Sequence, residues 1–489
     1  MRRTVLLSVS VALAVLLVSG VWDSASREAR GATAKPNIVF ILADDMRKDD
    51  LKYMPKTRSL LKAKGMSFEN AFVSNALCCP ARATIMRGQY SHNTHVWTNG
   101  GANGGWQVYR VNSLEQDNVA TRLKAAGYRT ALFGKYLNGY NSTSVPQGWD
   151  RWFATEEGYF DYDANDQGTI RHFGTDASDY QTDVLKRRAK AFVGASVTAG
   201  EPFFAYVAPK APHNAEGQGV PVSAPRDRHA YDGLKAPRPP SFNEKDVSDK
   251  PPWIRRMPRL SDANKAEIDD RHEKRAESLQ AVDDLVAGVV GKLKNKGVMG
   301  NTYVFFSSDN GWQEGEHRLD FGKWRPYEED IHMPMLVRGP GVAAGHEAQK
   351  LALDTDFLPT FTNLACSAST PCDTQNWSYV PDGRTLKPVL KGNATSWRNA
   401  ILLEAARNDV NVPNAPAYRG IRTVTTNTTT KRKYVKYADG SKELYYLKSD
   451  PYELTDRYKA ASPPAGLVSQ LGALKTCAGA SCRAAENGQ

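Results

Sequence analysis

Two acids stand side by side where an apolar run ends, in Pro36-Asn37-Ile38-Val39-Phe40-Ile41-Leu42-Ala43-Asp44-Asp45. A second such run, Thr302 to Ser308, ends in Asp309-Asn310-Gly311. Three carboxylates and an amide oxygen, brought together, suit a hard divalent cation, which takes several oxygen ligands. Calcium fits this set better than zinc, because no His or Cys sits at zinc-binding spacing; magnesium is the less favoured alternative. Between the two runs lies Cys78-Cys79-Pro80-Ala81-Arg82, a Cys-x-Pro-x-Arg pattern. On residue type alone its cysteines fit a buried pair, a bridge to a distant Cys, or a reactive centre. A bridge between the two neighbours is strained. Basic side chains recur in Gly134-Lys135-Tyr136-Leu137-Asn138, Ala211-Pro212-His213-Asn214, Gly315-Glu316-His317-Arg318 and Gly322-Lys323-Trp324. Taken singly, a His after a strand is more often structural than catalytic.

Such residues need elements to hold them. The continuous apolar runs at 36–45 and 302–309 read as buried parallel strands whose acids gather at the carboxyl edge. Residues 129–135 and 201–207 read the same way. Helices are expected over 54–64, closed by Gly65, and 118–126, closed by Gly127. A longer amphipathic helix is expected over 261–296, with Leu279, Val282, Leu285, Val286, Val289 and Val290 on its apolar face. Strands alternating with helices predict a parallel sheet covered on both faces. Residues 217–259, rich in Pro and charge, read as a long surface excursion of the kind that shapes binding sites. After Gly392 short strand-like runs follow at 401–404, 418–422, 433–437 and 442–447, with Asp439-Gly440 as a hairpin turn between the last two. They predict a small antiparallel sheet.

The chain has 489 residues and a formal net charge of +11, of which +9 lies beyond residue 34. That balance favours anionic partners through long-range steering. It does not point to nucleic acid, since no aromatic-basic motif is present. Arg2-Arg3, the apolar stretch Val5 to Val18 and Ala32-Thr33-Ala34 form a secretory signal over 1–34, too short in its apolar part for a membrane anchor. The protein is expected to be secreted, periplasmic or on the cell surface. In an exported chain Cys366/Cys372 and Cys477/Cys482 read as local disulfides.

Taken in order, these segments resemble the signature stretches of the formylglycine-dependent (type I) sulfatases of the alkaline-phosphatase-like superfamily. The nearest motifs are those of the N-acetylglucosamine-6-sulfatase and arylsulfatase branch. Ser449-Asp450-Pro451-Tyr452-Glu453-Leu454-Thr455-Asp456 resembles that family's C-terminal part. The resemblance implies an α/β fold: a mixed, mostly parallel sheet sandwiched by helices, with a catalytic domain over 35–392 and a smaller antiparallel α+β domain over 393–489. It implies that a maturation enzyme converts Cys78 to formylglycine, whose hydrate attacks sulfur to give a covalent sulfate intermediate. It further implies Ca²⁺ held by Asp44, Asp45, Asp309 and Asn310 in contact with residue 78. Arg82 would stabilise the hydrate, and Lys135, His213 and Lys323 would hold the sulfate. His317 would lie toward the leaving group.

Two places depart from the family pattern. Ala81 replaces a common Ser. Leu137 stands where many relatives have His, which leaves the base of the second step open. The expected substrate is a sulfated sugar, such as a 6-O-sulfated hexosamine, or an aryl sulfate. A formylglycine-dependent phosphonate or phosphate diester hydrolase is the nearest rival. An inactive sulfated-glycan-binding protein is the rival of another class.

Overall fold

Ile38, Phe40 and Leu42 belong to one apolar cluster and Val39, Ile41 and Ala43 to another, and all six are fully buried. They alternate along one strand, so that strand lies at the centre of a sheet with a core on each face. The structure is a computed structural model describing residues 35–155, 158–366, 377–406, 415–424, 431–458 and 460–488. The expected signal segment 1–34 and Cys372 lie outside the described residues.

In chain order the strands are β1 (Asn37–Ala43), β2 (Met66–Phe68), β3 (Ala71–Phe72), β4 (Arg129–Lys135), β5 (Arg151–Thr155), β6 (Tyr162–Asp166), β7 (Thr169–Phe173), β8 (Phe203–Ala208), β9 (Thr302–Ser308), β10 (Met335–Arg338), β11 (His346–Ala348) and β12 (Ala352–Leu353). Ten of them form one sheet, ordered β11-β2-β10-β9-β1-β8-β4-β5-β6-β7. The middle five, β9 to β5, are parallel. β10 on one side, and β6 and β7 on the other, run antiparallel to their neighbours. β3 and β12 pair separately. The helices Gln181–Ala199 and Asp262–Asn295 cover the face of Val39 and Ile41, through residues such as Leu185, Phe192, Leu285 and Val289. The helices Cys78–Arg87, Val119–Ala125 and Phe357–Ala365 cover the other.

Most expected elements stand where the pattern put them. Asn118 is the cap of its helix rather than part of it, accepting from Ala120 and Thr121. Ser261 caps the long helix in the same way, through Asn264. The helix expected from Met54 begins at Pro55 and passes at Arg58 into a wider π turn that ends at Lys62. The four late strands are β13 (Ala400–Ala405), β14 (Tyr418–Val424), β15 (Lys431–Tyr437) and β16 (Lys442–Tyr446), an antiparallel meander. Its inner residues, including Ile401, Leu403, Ile421 and Leu444, join the same apolar cluster as Phe40 and Phe357. Cys477 and Cys482 are bridged, while Cys78 and Cys79 are free and buried. Cys366 is disulfide-bonded.

Candidate active site

The parallel register brings four strand ends to one edge. Ala43 of β1 pairs with Ser308 of β9, which sets Asp44 level with Asp309. Gly134 of β4 pairs with Ala208 of β8, so Lys135 emerges beside the segment that runs on to His213. β9, β1, β8 and β4 are neighbours, and their carboxyl ends carry Asp309-Asn310, Asp44-Asp45, His213 and Lys135 in that order.

The fifth contribution comes from a helix. Leu77 is extended and Cys78 opens the helix Cys78–Arg87. Pro80 falls in the first turn, where its missing N–H would have no partner in any case. Arg82 lies one turn below Cys78 on the same face. The spacing of Cys-x-Pro-x-Arg is thus the geometry of a helix start. The amino end of the helix adds a partial positive charge at Cys78 that favours an anion.

These side chains meet. Cys78 Sγ lies 3.4 Å from Asp44 Oδ1 and 3.8 Å from Asp45 Oδ1. Lys323 Nζ is 2.6 Å from the same sulfur and also donates to Asp45 Oδ1. Lys135 Nζ donates to Asp44 Oδ2 at 2.6 Å. Arg82 Nε donates to Asp309 Oδ2 at 2.8 Å, and its Nη1 donates to the Lys135 carbonyl at 3.0 Å. Asp309 Oδ1 in turn accepts from the Asp45 backbone N–H at 3.0 Å. That bond holds Asp45 in a left-handed conformation, φ +64°. Asn310 Nδ2 donates to Asp45 Oδ1 at 2.7 Å. His213 Nε2 stands 3.6 Å from Asp45 Oδ2, with the ring about a quarter exposed at 24%. Its Nδ1 is 2.8 Å from the Asn214 carbonyl, which only accepts, so Nδ1 carries the proton and Nε2 is the bare nitrogen.

Burial and charge act against each other here. Burial alone would raise Asp44, but Lys135, His213, Arg82 and Lys323 together hold it well below the usual carboxylate range. Asp45 is lowered too, chiefly by Lys323 working against burial. Asp309 is pushed up to about 6 by burial and the neighbouring Asp44, in spite of Arg82. Burial depresses His213, so its imidazole is neutral, whereas Asp45 and the Cys78 sulfur outweigh burial and raise Lys323. Asp45 Oδ2 and Asn310 Oδ1 are buried without a hydrogen-bond partner. Orphaned oxygens beside three carboxylates are what a hard cation would satisfy, so the residues present fit Ca²⁺.

One expected site residue is not in this group. His317 is fully buried, bonded through Nδ1 to Glu244 Oε2 at 2.7 Å and stacked on Tyr327 at 4.3 Å. The carboxylates grouped within 4.8 Å of its ring are those of Glu329 and Glu453, not Asp44 or Asp45. The 217–259 excursion explains this: it packs directly on the 315–318 turn, with Asn243 N–H on Gly315 O and His317 N–H on Ser241 O, and covers the ring. Arg275 was not singled out by the sequence. Its guanidinium donates to the Asp45 carbonyl at 2.7 Å and to Asp50 Oδ2 at 2.7 Å. The available signal was a charged residue on the apolar face of a long helix.

The sulfatase family profile matches residues 36–367, and a profile described as N-sulphoglucosamine sulphohydrolase, C-terminal, matches residues 315–472. An arylsulfatase of Volvox carteri is 32% identical over 507 residues, covering 94% of this chain and 77% of the relative. N-acetylglucosamine-6-sulfatase of Homo sapiens is 31% identical over 494 residues, covering 92% and 86%. A solved structure in complex with its substrate D-glucosamine-2-N,6-O-disulfate is similar with a TM-score of 0.73 at 22% identity, covering 93% of this chain and 99% of that one. A phosphonate monoester hydrolase of Agrobacterium radiobacter shares the fold with a TM-score of 0.66 at 21% identity, covering 92% and 95%. Fold, strand-end cluster and relatives define a sulfuric ester hydrolase. The chain belongs to the sulfatase family.

Proposed function

We propose that this sulfatase releases sulfate from a sulfated sugar, with 6-O-sulfated glucosamine units as the preferred class, using formylglycine at position 78 and Ca²⁺. The observation that carries the reading is the convergence on Cys78 Sγ of Lys323, Asp44 and Asp45 at the start of a helix. Arylsulfatase and N-acetylglucosamine-6-sulfatase relatives support the substrate class.

In the structure the thiol sulfur of Cys78 stands where the hydrated aldehyde would carry its hydroxyls. That hydrate supplies the nucleophile for sulfur. Asp44, Asp45, Asp309 and Asn310 would hold the cation, which when bound would draw negative charge from a sulfate oxygen. The chain's own cations do the remaining electrostatic work. Lys135 and Lys323 flank residue 78 on opposite carboxylates and neutralise the charge that builds on the transferring group. Arg82, fully buried, fixes Asp309 and the Lys135 carbonyl, and so sets both in place. Lys323, protonated in the resting site, gives that proton to the leaving oxygen as the S–O bond breaks. His213, neutral with Nε2 free, accepts the proton of the second hydroxyl, the part that Leu137 cannot play. Residues 35–392 supply every one of these groups. A signal over 1–34 would export the chain, and a formylglycine-generating enzyme would mature it on the way. Among the described residues no helix is long and apolar enough to cross a membrane.

The test is a side-by-side assay of the matured protein on glucosamine-6-O-sulfate, an aryl sulfate and an aryl phosphonate. Sulfate release with kcat/KM greatest on the sugar is the expected result. Faster phosphonate than sulfate hydrolysis would overturn the reading in favour of the diesterase rival.

A further inference from the structure

Behind the stretch that carries Lys323 lies a second group of buried ligating atoms that the sulfate chemistry does not use. A ring nitrogen of His317 and carboxylate oxygens of Glu329 and Glu453 all lie within 4.8 Å of one another. His317 is 0% and Glu453 1% exposed. His317 Nε2 and Glu329 Oε2 are each buried with no hydrogen-bond partner. Lys433 forms an ion pair with Glu453 Oε1 at 2.5 Å, which balances one carboxylate and leaves Glu329 and the imidazole unanswered.

The ring is held in one orientation. Nδ1 lies 2.7 Å from Glu244 Oε2, and the Lys250 ammonium lies 3.2 Å from Glu244 Oε1. A carboxylate that takes the Nδ1 proton leaves Nε2 bare, the arrangement in which a metal-bound imidazole is set.

We infer that His317 Nε2, Glu329 and Glu453 form a second cation site, distinct from the Asp44–Asp45 cluster, for a divalent ion of the zinc type. One imidazole nitrogen and two carboxylates suit zinc, which binds both in three-ligand sites, and suit calcium or magnesium less, since those take oxygen almost exclusively. Glu329 also lines a surface cavity of 470 Å³ whose other walls are Arg47, Lys48, Asp49, Glu69, Glu328 and His332. The ligands come from two distant stretches. His317 and Glu329 bracket Lys323, and Glu453 lies in the C-terminal segment, where its other oxygen accepts from Glu328 N–H at 3.0 Å. The ion would tie the C-terminal segment to the loop that carries Lys323.

The experiment titrates calcium-saturated, tag-free protein with zinc alone and counts zinc per chain after gel filtration. One equivalent is expected in the native protein and also in Cys78→Ala, the control that removes the thiol able to draw zinc to the catalytic cluster. Glu329→Gln and His317→Asn, each shown to be folded by circular dichroism without zinc, are expected to lose that equivalent. They are also expected to lose the rise in Tm that zinc gives the native chain. No zinc in the native protein would overturn the inference and leave a shared proton between Glu329 and Glu453. Loss of the zinc in Cys78→Ala, or its retention in both Glu329→Gln and His317→Asn, would overturn it too, by placing the ion elsewhere.

Discussion

Cys78 sits against two carboxylates and an ammonium, an unlikely home for an ordinary thiol and a suitable one for a hydrated aldehyde. Cys78→Ala is expected to abolish turnover, by at least about a thousandfold in kcat as for other lost nucleophiles. Substrate binding, measured by calorimetry, is expected to persist. Lys323→Ala is expected to lower kcat by roughly 10²–10³-fold, the scale of losing one preorganised charge, with a smaller change in KM. At this scale the sequence was readable where a residue type and its place at a strand end coincided: Asp44, Asp45, Asp309, Lys135 and His213 all meet. His317 shows the limit. Its motif neighbours Lys323 in sequence, but its ring is turned into a buried cluster with Glu244, an orientation that depends on a loop about 70 residues earlier. Arg275 was not legible for the same reason, since its role is a bond to a backbone carbonyl 230 residues away.

The elements explain why those residues meet. Four neighbouring parallel strands end at one edge, and the helix Cys78–Arg87 starts beside them. The long helix Asp262–Asn295 supports the edge from below through Arg275 on the Asp45 carbonyl. Arg275→Lys keeps the charge but loses the rigid guanidinium that holds one nitrogen, Nη2, on both the Asp45 carbonyl and Asp50. It is expected to weaken calcium affinity by about 10–100-fold, the usual effect of losing a residue that positions metal ligands. Isothermal titration of the metal-free protein with calcium would show it. Asn118→Ala removes the helix cap seen at Ala120 and Thr121. It is expected to cost about 1 kcal/mol of stability in denaturant melts and to leave kcat unchanged. β1, β4 and β9 could be read from apolar runs because strands buried on both faces carry no polar interruptions. The edge strand β7 escaped because it is mostly exposed and carries no such run.

Across the whole molecule the late meander is tied to the catalytic edge by polar contacts as well as by the shared core. Glu443 on β16 accepts from Tyr327 at 2.9 Å and Tyr445 at 2.5 Å, and also from Tyr437. Tyr327 follows Lys323 by four residues, so this carboxylate connects the small sheet to the loop that carries Lys323. Tyr327→Phe leaves a buried acceptor short of one donor and is expected to cost about 1–3 kcal/mol. Removing calcium with a chelator is expected to stop turnover, and added calcium to restore it, which an activity assay would follow. The small sheet was legible from its Asp439-Gly440 turn. Its attachment was not, because alternating strands do not reveal which surface they cover.

The most direct measurement is the mass of the peptide containing residue 78, taken from protein that is actively hydrolysing sulfate esters. The account predicts the mass of formylglycine, with the thiol sulfur replaced by an aldehyde oxygen, and activity in proportion to the converted fraction. Full activity with an unmodified thiol at Cys78 would contradict it.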